Sequence, residues 1–198
     1  DGSKASLETQ LLGPLYAPNE MGNTPEQLLE DLSNNATYLR LFSDAFGTPN
    51  ISLNQVYVAL SAFEASLISL NSRYDFYAHG LHNSLSPSEL EGLNVFRSFV
   101  SRCGECHTPP LFSNQEIAII GVPEPNGRPF DPGAGGTSGI PSQHGGFRVP
   151  SLRNIAKTAP YMHQGNFKTL RDTVAFYNGG RGHAAPKDEN LLIHWHIW

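Results

Sequence analysis

The clearest chemistry in the sequence lies in one short run, Cys103-Gly104-Glu105-Cys106-His107. Two thiols on one helical turn match the spacing of the two vinyl groups on one edge of a porphyrin. The adjacent imidazole then falls beneath the ring, where it can bind iron. We therefore predict covalently bound haem c, attached through Cys103 and Cys106, with His107 as one axial ligand.

Two other uses of a Cys-x-x-Cys pair fit the surrounding sequence less well. A thioredoxin-like redox pair would follow a strand of a βαβ unit, and a zinc site would need a second Cys or His pair at a matching spacing. The sequence shows neither pattern. The chain has two cysteines in all, so a disulfide framework is excluded as well.

Haem iron usually takes a second axial ligand from the opposite face of the ring. Methionine is the common partner of histidine in electron-transfer cytochromes, whereas tyrosine would bind as an anionic phenolate that stabilises oxidised iron. The pattern of residues leaves this ligand open. The candidates are Met162, His163, Tyr177, His144 and His183.

Capping signals and apolar residues at helical spacing predict an all-α fold. The helix before the haem motif is expected to run through Val100 into that motif. Residues 121–150 form a Gly/Pro-rich loop, and residues 117–122 are compatible with a short strand. The predicted helices begin after Thr24, at Ala36, after Ser52, after Ser86 and after Thr169; the third is expected to reach Leu70, and Gly47 ends the second.

Composition and charge narrow the classes of function. The chain has 198 residues, 39% of them hydrophobic and 16% charged, which is typical of a globular protein. The net charge of −5 and the lack of a basic patch argue against a nucleic-acid partner. No apolar run in the sequence approaches the length of a membrane span.

The residues around the haem motif resemble those of the bacterial di-haem cytochrome c peroxidase family, which includes the methylamine-utilisation protein MauG. Cys103–His107 corresponds to the second of the family's two haem motifs. The strongest further signatures are Phe147–Asn154 and Ala159–His163. Weaker ones, whose order supports the assignment, are Ser6–Gln10, Gly13–Pro14, Asn19–Gly22 and Ala62–Glu64.

The resemblance implies a distal ligand and a pocket. The ligand position falls on Tyr177, as in MauG, and not on Met162. Glu20 matches the acid/base carboxylate above the open, peroxide-binding haem, and Gln10 and Pro14 line the same pocket.

The resemblance also implies a calcium site, formed by the backbone carbonyls of Thr158 and Pro160 between the two haems. Arg153 is a further candidate site residue, because its planar guanidinium can donate two hydrogen bonds to a carboxylate such as a haem propionate.

The family pattern divides the chain into residues 1–82, part of a first, peroxidatic haem domain without its haem motif, and residues 83–198, a cytochrome c-like domain. The family has two haem motifs and this sequence has one. We therefore expect a piece of a longer chain, whose first motif precedes Asp1 and whose closing helix follows Trp198.

The resemblance implies a peroxide-dependent haem oxidoreductase in which this chain carries the electron-relay haem. The implied partners are hydrogen peroxide and a redox partner, which is a small cytochrome, a cupredoxin or a protein substrate. The implied compartment is the bacterial periplasm, and the family is often dimeric. The competing prediction is a mono-haem electron-transfer protein without peroxidase activity.

Overall fold

The structure, a computed structural model, describes residues 2–179. Contacts divide it into two units: residues 4–68, here called the helical unit, and residues 69–179 with the short stretch 2–3, here called the haem-motif unit. Helices dominate both units, which confirms the predicted all-α class. None of the helices in residues 2–179 has the length and apolar character needed to cross a membrane.

The helical unit is organised around the contact of its first and last helices. Leu11 and Leu15 of the first helix and Val56 of the last are buried. The hydroxyls of Tyr16 and Tyr57 hydrogen-bond to each other at 2.6 Å. Burial, followed by this hydrogen bond, raises the pKa of Tyr16 to about 12. The helices are α1 (Leu7–Tyr16), α2 (Pro25–Ser33), α3 (Ala36–Phe46) and α4 (Leu53–Ser66).

The haem-motif unit consists of shorter helices joined by long loops. Its two strands pair antiparallel, with residues 117–118 opposite residues 147–148. At Gly133, φ is +53° and a Cβ atom would lie 2.2 Å from the Gly146 carbonyl oxygen, so this close approach requires glycine. The elements are α5 (Arg73–Ala78), α6 (Pro87–Arg97), α7 (Cys103–Cys106), β1 (Ile117–Ala118), α8 (Gly133–Ser138), β2 (Phe147–Arg148) and α9 (Leu170–Asn178).

The capping residues predicted from the sequence begin helices as expected. Each accepts a hydrogen bond from the backbone N–H three residues further on, and so satisfies an amide that has no helical partner. Gly47, with φ of 70°, ends α3 in the left-handed conformation, as predicted. The confirmed N-cap residues are Thr24, Ser52, Ser86 and Thr169.

The prediction that the helix after Ser52 reaches Leu70 is wrong. α4 ends at Ser66, and Leu67 has already left the helical conformation. The Ser66 hydroxyl donates to the Phe63 carbonyl at 2.6 Å. Such local side-chain bonds compete with the backbone bonds that would continue a helix.

The helix before the haem motif is also shorter than predicted. α6 ends at Arg97, and Ser98 is extended, with its hydroxyl donating to the Val95 carbonyl at 2.8 Å. Val100 therefore lies beyond α6, and the cysteine motif occupies a separate helix. Of the predicted strand over 117–122, only residues 117–118 pair.

Candidate functional site

The two cysteines occupy a helical turn of their own. α7 contains only Cys103–Cys106, and the His107 amide donates to the Cys103 carbonyl at 2.9 Å. Residues three apart on a helix share a face, so both thiols lie on the same side of the turn. Both are free; Cys103 is half-buried and Cys106 is exposed. Attachment to two vinyl groups of one porphyrin requires this arrangement.

The electrostatics around the thiols do not suit a redox pair. Burial, followed by the carboxylates of Glu105 and Glu116, raises the pKa of the Cys106 thiol. Redox-active thiols have a lowered pKa in electropositive surroundings. The Glu105 carboxylate is held by Arg102, whose Nε lies 2.6 Å from Oε1, and this ion pair spans the turn.

The His107 ring is oriented by a backbone carbonyl. Its Nδ1 lies 3.0 Å from the Phe112 carbonyl oxygen. A carbonyl can only accept, so Nδ1 carries the proton and Nε2 of the neutral ring keeps a lone pair for a metal. Burial lowers the pKa of His107, although the carbonyls of Phe112 and Pro150 act in the opposite direction. The ring is therefore suited to bind iron through Nε2.

Residues 108–113, here called the proximal loop, present this carbonyl to His107. Phe112 has a φ of 55°, a left-handed conformation that costs a non-glycine residue about 1 kcal/mol. The loop is fastened on both sides of Phe112. The Ser113 hydroxyl donates to the Val149 carbonyl at 2.6 Å, and the Ser151 hydroxyl donates to the carbonyl of the residue before Phe112 at 2.5 Å.

Arg153 makes a set of contacts that the sequence did not indicate. Its Nη1 and Nη2 donate to the two carboxylate oxygens of Asp75 at 2.5 and 2.7 Å, and its Nε donates to the Pro110 carbonyl at 2.8 Å. The hydrogen bonds from the Arg153 guanidinium, together with those from Ser72, hold the pKa of Asp75 well below its usual range. The propionate role of Arg153 stays a prediction.

Tyr177 lies on α9, where its ring meets that of Phe176 edge-on, with centroids 5.4 Å apart. Burial, followed by the charges of the Cys106 and Cys103 thiols, raises its pKa to about 12. Met162 lies in the loop before α9, where its φ is 69°. The choice of Tyr177 as the distal ligand stays a prediction.

The histidine candidates for that ligand have neighbours of their own. The His163 ring stacks on Phe147, with centroids 4.0 Å apart, and its Nε2 lies 3.5 Å from a Glu124 carboxylate oxygen. His144 lines the same small cavity as Glu124 and Phe147. His183 lies outside the described residues.

The predicted calcium-binding residues lie in the segment that precedes α9. The Thr158 amide and hydroxyl both donate to the Ile155 carbonyl at 3.2 Å. Pro160 follows, and both residues are exposed. The buried Tyr161 fixes the end of this segment, because its hydroxyl donates to the Ile155 carbonyl at 2.9 Å. The calcium site itself stays a prediction.

The three residues predicted to form a peroxide pocket lie on or just after α1. Gln10 and Pro14 are one helical turn apart and share a face of the helix. Glu20 lies in the turn that follows. The Met21 amide donates to the Pro14 carbonyl at 3.1 Å, which folds this turn back against the end of α1. The backbone thus brings Pro14 and the Glu20 turn together, while the side chains of Gln10 and Glu20 are exposed.

The residues of the haem-motif unit fit haem c. The donor set comprises two thiols on one turn and a neutral imidazole whose Nδ1 is bound to a backbone carbonyl. Large apolar side chains of this unit are exposed: Val95 to 54%, Phe99 to 86% and Val174 to 66%. A porphyrin is a large apolar group that such side chains can cover.

Comparison with known proteins agrees with this geometry. A family model described as di-haem cytochrome c peroxidase matches residues 1–83. The chain is 32% identical to the cytochrome c551 peroxidase of Nitrosomonas europaea over 176 residues, which are 88% of this chain and 52% of that protein. It is 30% identical to the methylamine utilization protein MauG of Methylophilus methylotrophus over 178 residues, with coverages of 89% and 52%.

Solved structures show the same likeness. A MauG-like protein associated with microbial copper homeostasis matches with a TM-score of 0.85 and 29% identity, covering 98% of this chain and 64% of that one. The di-haem peroxidase BthA from Burkholderia thailandensis matches with a TM-score of 0.76 and 32% identity, with coverages of 89% and 50%. The chain belongs to the di-haem cytochrome c peroxidase/MauG family. It spans about half the length of the curated relatives described above.

Two residues that matter at this site were missed by sequence reasoning. Asp75 is separated from Arg153 by 78 positions, so no local spacing links them. Phe112 was missed because it contributes a backbone carbonyl, which every residue has. The capping signal at Ser72, whose hydroxyl and amide both donate to Asp75, is the one local pattern that could have drawn attention to this carboxylate.

Proposed function

We propose that this chain carries the electron-relay haem of a peroxide-dependent haem oxidoreductase. One observation carries the proposal. Two free thiols share one helical turn, and the imidazole that follows has its Nδ1 bound to the Phe112 carbonyl, which leaves Nε2 as the unprotonated nitrogen of the neutral ring. Membership of a family of cytochrome c peroxidases supports peroxide as the oxidant.

Haem c, when bound, supplies one-electron redox chemistry. Cys103 and Cys106 would hold it through thioether bonds, and Nε2 of His107 would bind its iron. The phenolate oxygen of Tyr177 would be the second ligand of the iron, a role that follows from the family resemblance. An anionic oxygen ligand stabilises the oxidised iron, which suits a relay that must store oxidising equivalents. The family resemblance assigns Arg153 to a haem propionate. Because every nitrogen of its guanidinium already donates within the chain, a propionate would have to share or displace one of these partners.

The peroxide reaction is assigned to residues of the helical unit. The Glu20 carboxylate would accept a proton from one peroxide oxygen and deliver it to the other, which then leaves as water. The two electrons that this O–O cleavage requires would come from the peroxidatic haem of the intact protein. Gln10 and Pro14 line the pocket in which this transfer occurs. The exposed position of Glu20 in a turn against the end of α1 supports the role, because the carboxylate is free to approach a ligand.

The remaining assignments follow the family. Residues 1–82 are part of the peroxidatic haem domain and residues 83–198 form the cytochrome c-like domain. The Thr158 and Pro160 carbonyls would be two of the ligands of a calcium ion that lies between the two haems. The protein acts in the bacterial periplasm as a homodimer, and it oxidises a small cytochrome, a cupredoxin or a protein substrate at its surface.

A mono-haem electron-transfer protein without peroxidase activity is the second candidate. One observation favours it: the 198 residues contain a single Cys-x-x-Cys-His motif. A haem count and a peroxide-turnover assay on the full-length protein separate the two candidates. Two haems with turnover support the peroxidase, and one haem without turnover supports the electron-transfer protein.

The assigned role of Glu20 provides the test of the peroxidase proposal. In the protein that carries both haems, Glu20→Gln should slow the reaction with hydrogen peroxide by about 100-fold or more, because the amide cannot accept the proton. Stopped-flow absorption measures this rate. Glu30→Gln, an exposed carboxylate on α2, is the matched control and should leave the rate unchanged. A Glu20→Gln rate equal to that of the control would remove the assignment.

A further inference from the structure

The ion pair between Arg153 and Asp75 is almost fully buried, with 10% and 9% of the two side chains exposed. The guanidinium meets both carboxylate oxygens, and the Ser72 amide and hydroxyl donate to Oδ2 of the same carboxylate at 2.8 and 2.6 Å. Burying two charges is costly, and apolar residues of similar volume often stabilise a fold equally well. This pair therefore invites an explanation beyond stability.

The same guanidinium holds the proximal loop from two directions. Its Nε donates to the Pro110 carbonyl at 2.8 Å, and Nη2 also donates to this oxygen. Its central carbon lies 5.2 Å from the centre of the Phe112 ring. The Phe112 ring also packs edge-on against the ring of Tyr74 on α5, with ring centroids 4.8 Å apart. Arg153 thus fixes both the backbone before Phe112 and the side chain of Phe112.

Phe112 passes this constraint on to His107. Its φ of 55° is a conformation that persists in a non-glycine residue only where the surroundings hold it. In this conformation its carbonyl accepts the Nδ1 proton of His107 at 3.0 Å. If the loop relaxes, this carbonyl turns away and the imidazole loses the partner that orients it.

We propose that the Arg153–Asp75 pair is a positioning device for His107, which sets the strength of the bond between this histidine and the haem iron. The inference rests on the proposed attachment of haem at Cys103 and Cys106. A hydrogen bond from Nδ1–H makes Nε2 more basic, and a more basic ligand favours ferric over ferrous iron. Loss of the pair therefore raises the reduction potential of this haem.

The test compares two arginine–carboxylate pairs that share helix α5. Arg73, two positions before Asp75, donates through Nη1 to Glu89 at 2.8 Å. In residues 2–179 no hydrogen bond joins Arg73 to the proximal loop, so this pair is the control. Each pair is replaced by apolar residues, in Asp75→Leu/Arg153→Met and in Arg73→Met/Glu89→Leu. Arg153→Lys is added, because a point charge cannot hold Asp75 and Pro110 together as the fork does.

Spectroelectrochemistry and electron paramagnetic resonance are recorded on the haem-loaded proteins. The first double variant should raise the potential and shift the ferric g-values, and Arg153→Lys should do so to a smaller extent. The control should match the wild type. Potentials and g-values equal to the control, at full haem content, would overturn the inference and leave the pair a structural one.

A haem count by pyridine haemochrome separates this outcome from failure of the proposed attachment, in which the wild type itself carries no covalent haem. If the first double variant fails to fold, Arg153→Lys alone tests the inference, because this variant keeps the buried Asp75 carboxylate paired with a cation. An unchanged potential in Arg153→Lys then counts against the inference.

Discussion

The haem motif and the predicted peroxide pocket differ in how tightly their side chains are held. The His107 ring is bound at Nδ1, and the loop that binds it is fastened by Ser113, Ser151 and Arg153. In the described residues, the side chains of Gln10 and Glu20 make no hydrogen bond or ion pair. A metal ligand must keep one geometry, whereas a proton-transfer group must change partners during the reaction. The difference in restraint matches the difference in the proposed roles.

The largest expected effect is on haem attachment. Cys103→Ala/Cys106→Ala should abolish covalent haem, because the chain has no other thiols. A haem stain of the denatured protein on a gel measures this. Glu105→Gln, between the two cysteines, is the control and should keep full staining. Staining of the double variant would show that attachment occurs elsewhere.

The next effect tests which residue completes the coordination of this haem. Tyr177→Phe should change the visible absorption and paramagnetic resonance spectra of the ferric haem, because a phenyl ring offers no ligand. Met162→Leu keeps the volume of the side chain and should leave both spectra as in the wild type. The opposite pattern, with only Met162→Leu changing the spectra, would transfer the assignment to Met162.

A smaller effect concerns the acid stability of the haem-motif unit. Arg153 lowers the pKa of Asp75 in the folded protein, so this carboxylate contributes full stability above its ordinary pKa of about 4 and loses it as the pH falls through the lowered value. Asp75→Asn should cost on the order of 2 kcal/mol at neutral pH. Denaturant unfolding should show the gap to the wild type closing below about pH 4. A gap that is independent of pH would mean that Asp75 acts through packing alone.

The smallest effect lies in the helical unit. Tyr57→Phe removes the hydrogen bond with Tyr16 and should cost about 1 kcal/mol of unfolding free energy. Because this change does not touch the contacts that hold His107, the potential and spectra of the haem should match the wild type. A changed haem spectrum in this variant would contradict the prediction, because it would show that the Tyr16–Tyr57 contact influences the haem.

The sequence predicted those features that depend on local spacing. Each of these features depends on residues within four positions of one another. They are the helix caps at Thr24, Ser52, Ser86 and Thr169, the end of α3 at Gly47 and the pair of thiols on one turn. The sequence did not predict the ends of α4 and α6, where serine hydroxyls donate to backbone carbonyls three residues earlier and compete with the helical hydrogen bonds. The Arg153–Asp75 contact joins residues 78 positions apart, and the turn of the Phe112 backbone arises from tertiary contacts.

The central claim, that Cys103 and Cys106 hold a haem bound by His107, is tested most directly by peptide mass spectrometry of the mature protein. Trypsin cleaves after Arg102, so one peptide begins at Cys103 and contains both cysteines. We expect this peptide to carry the mass of one haem and to resist thiol alkylation. A peptide of unmodified mass, with two alkylated cysteines, in protein matured by a haem-attaching host would contradict the claim.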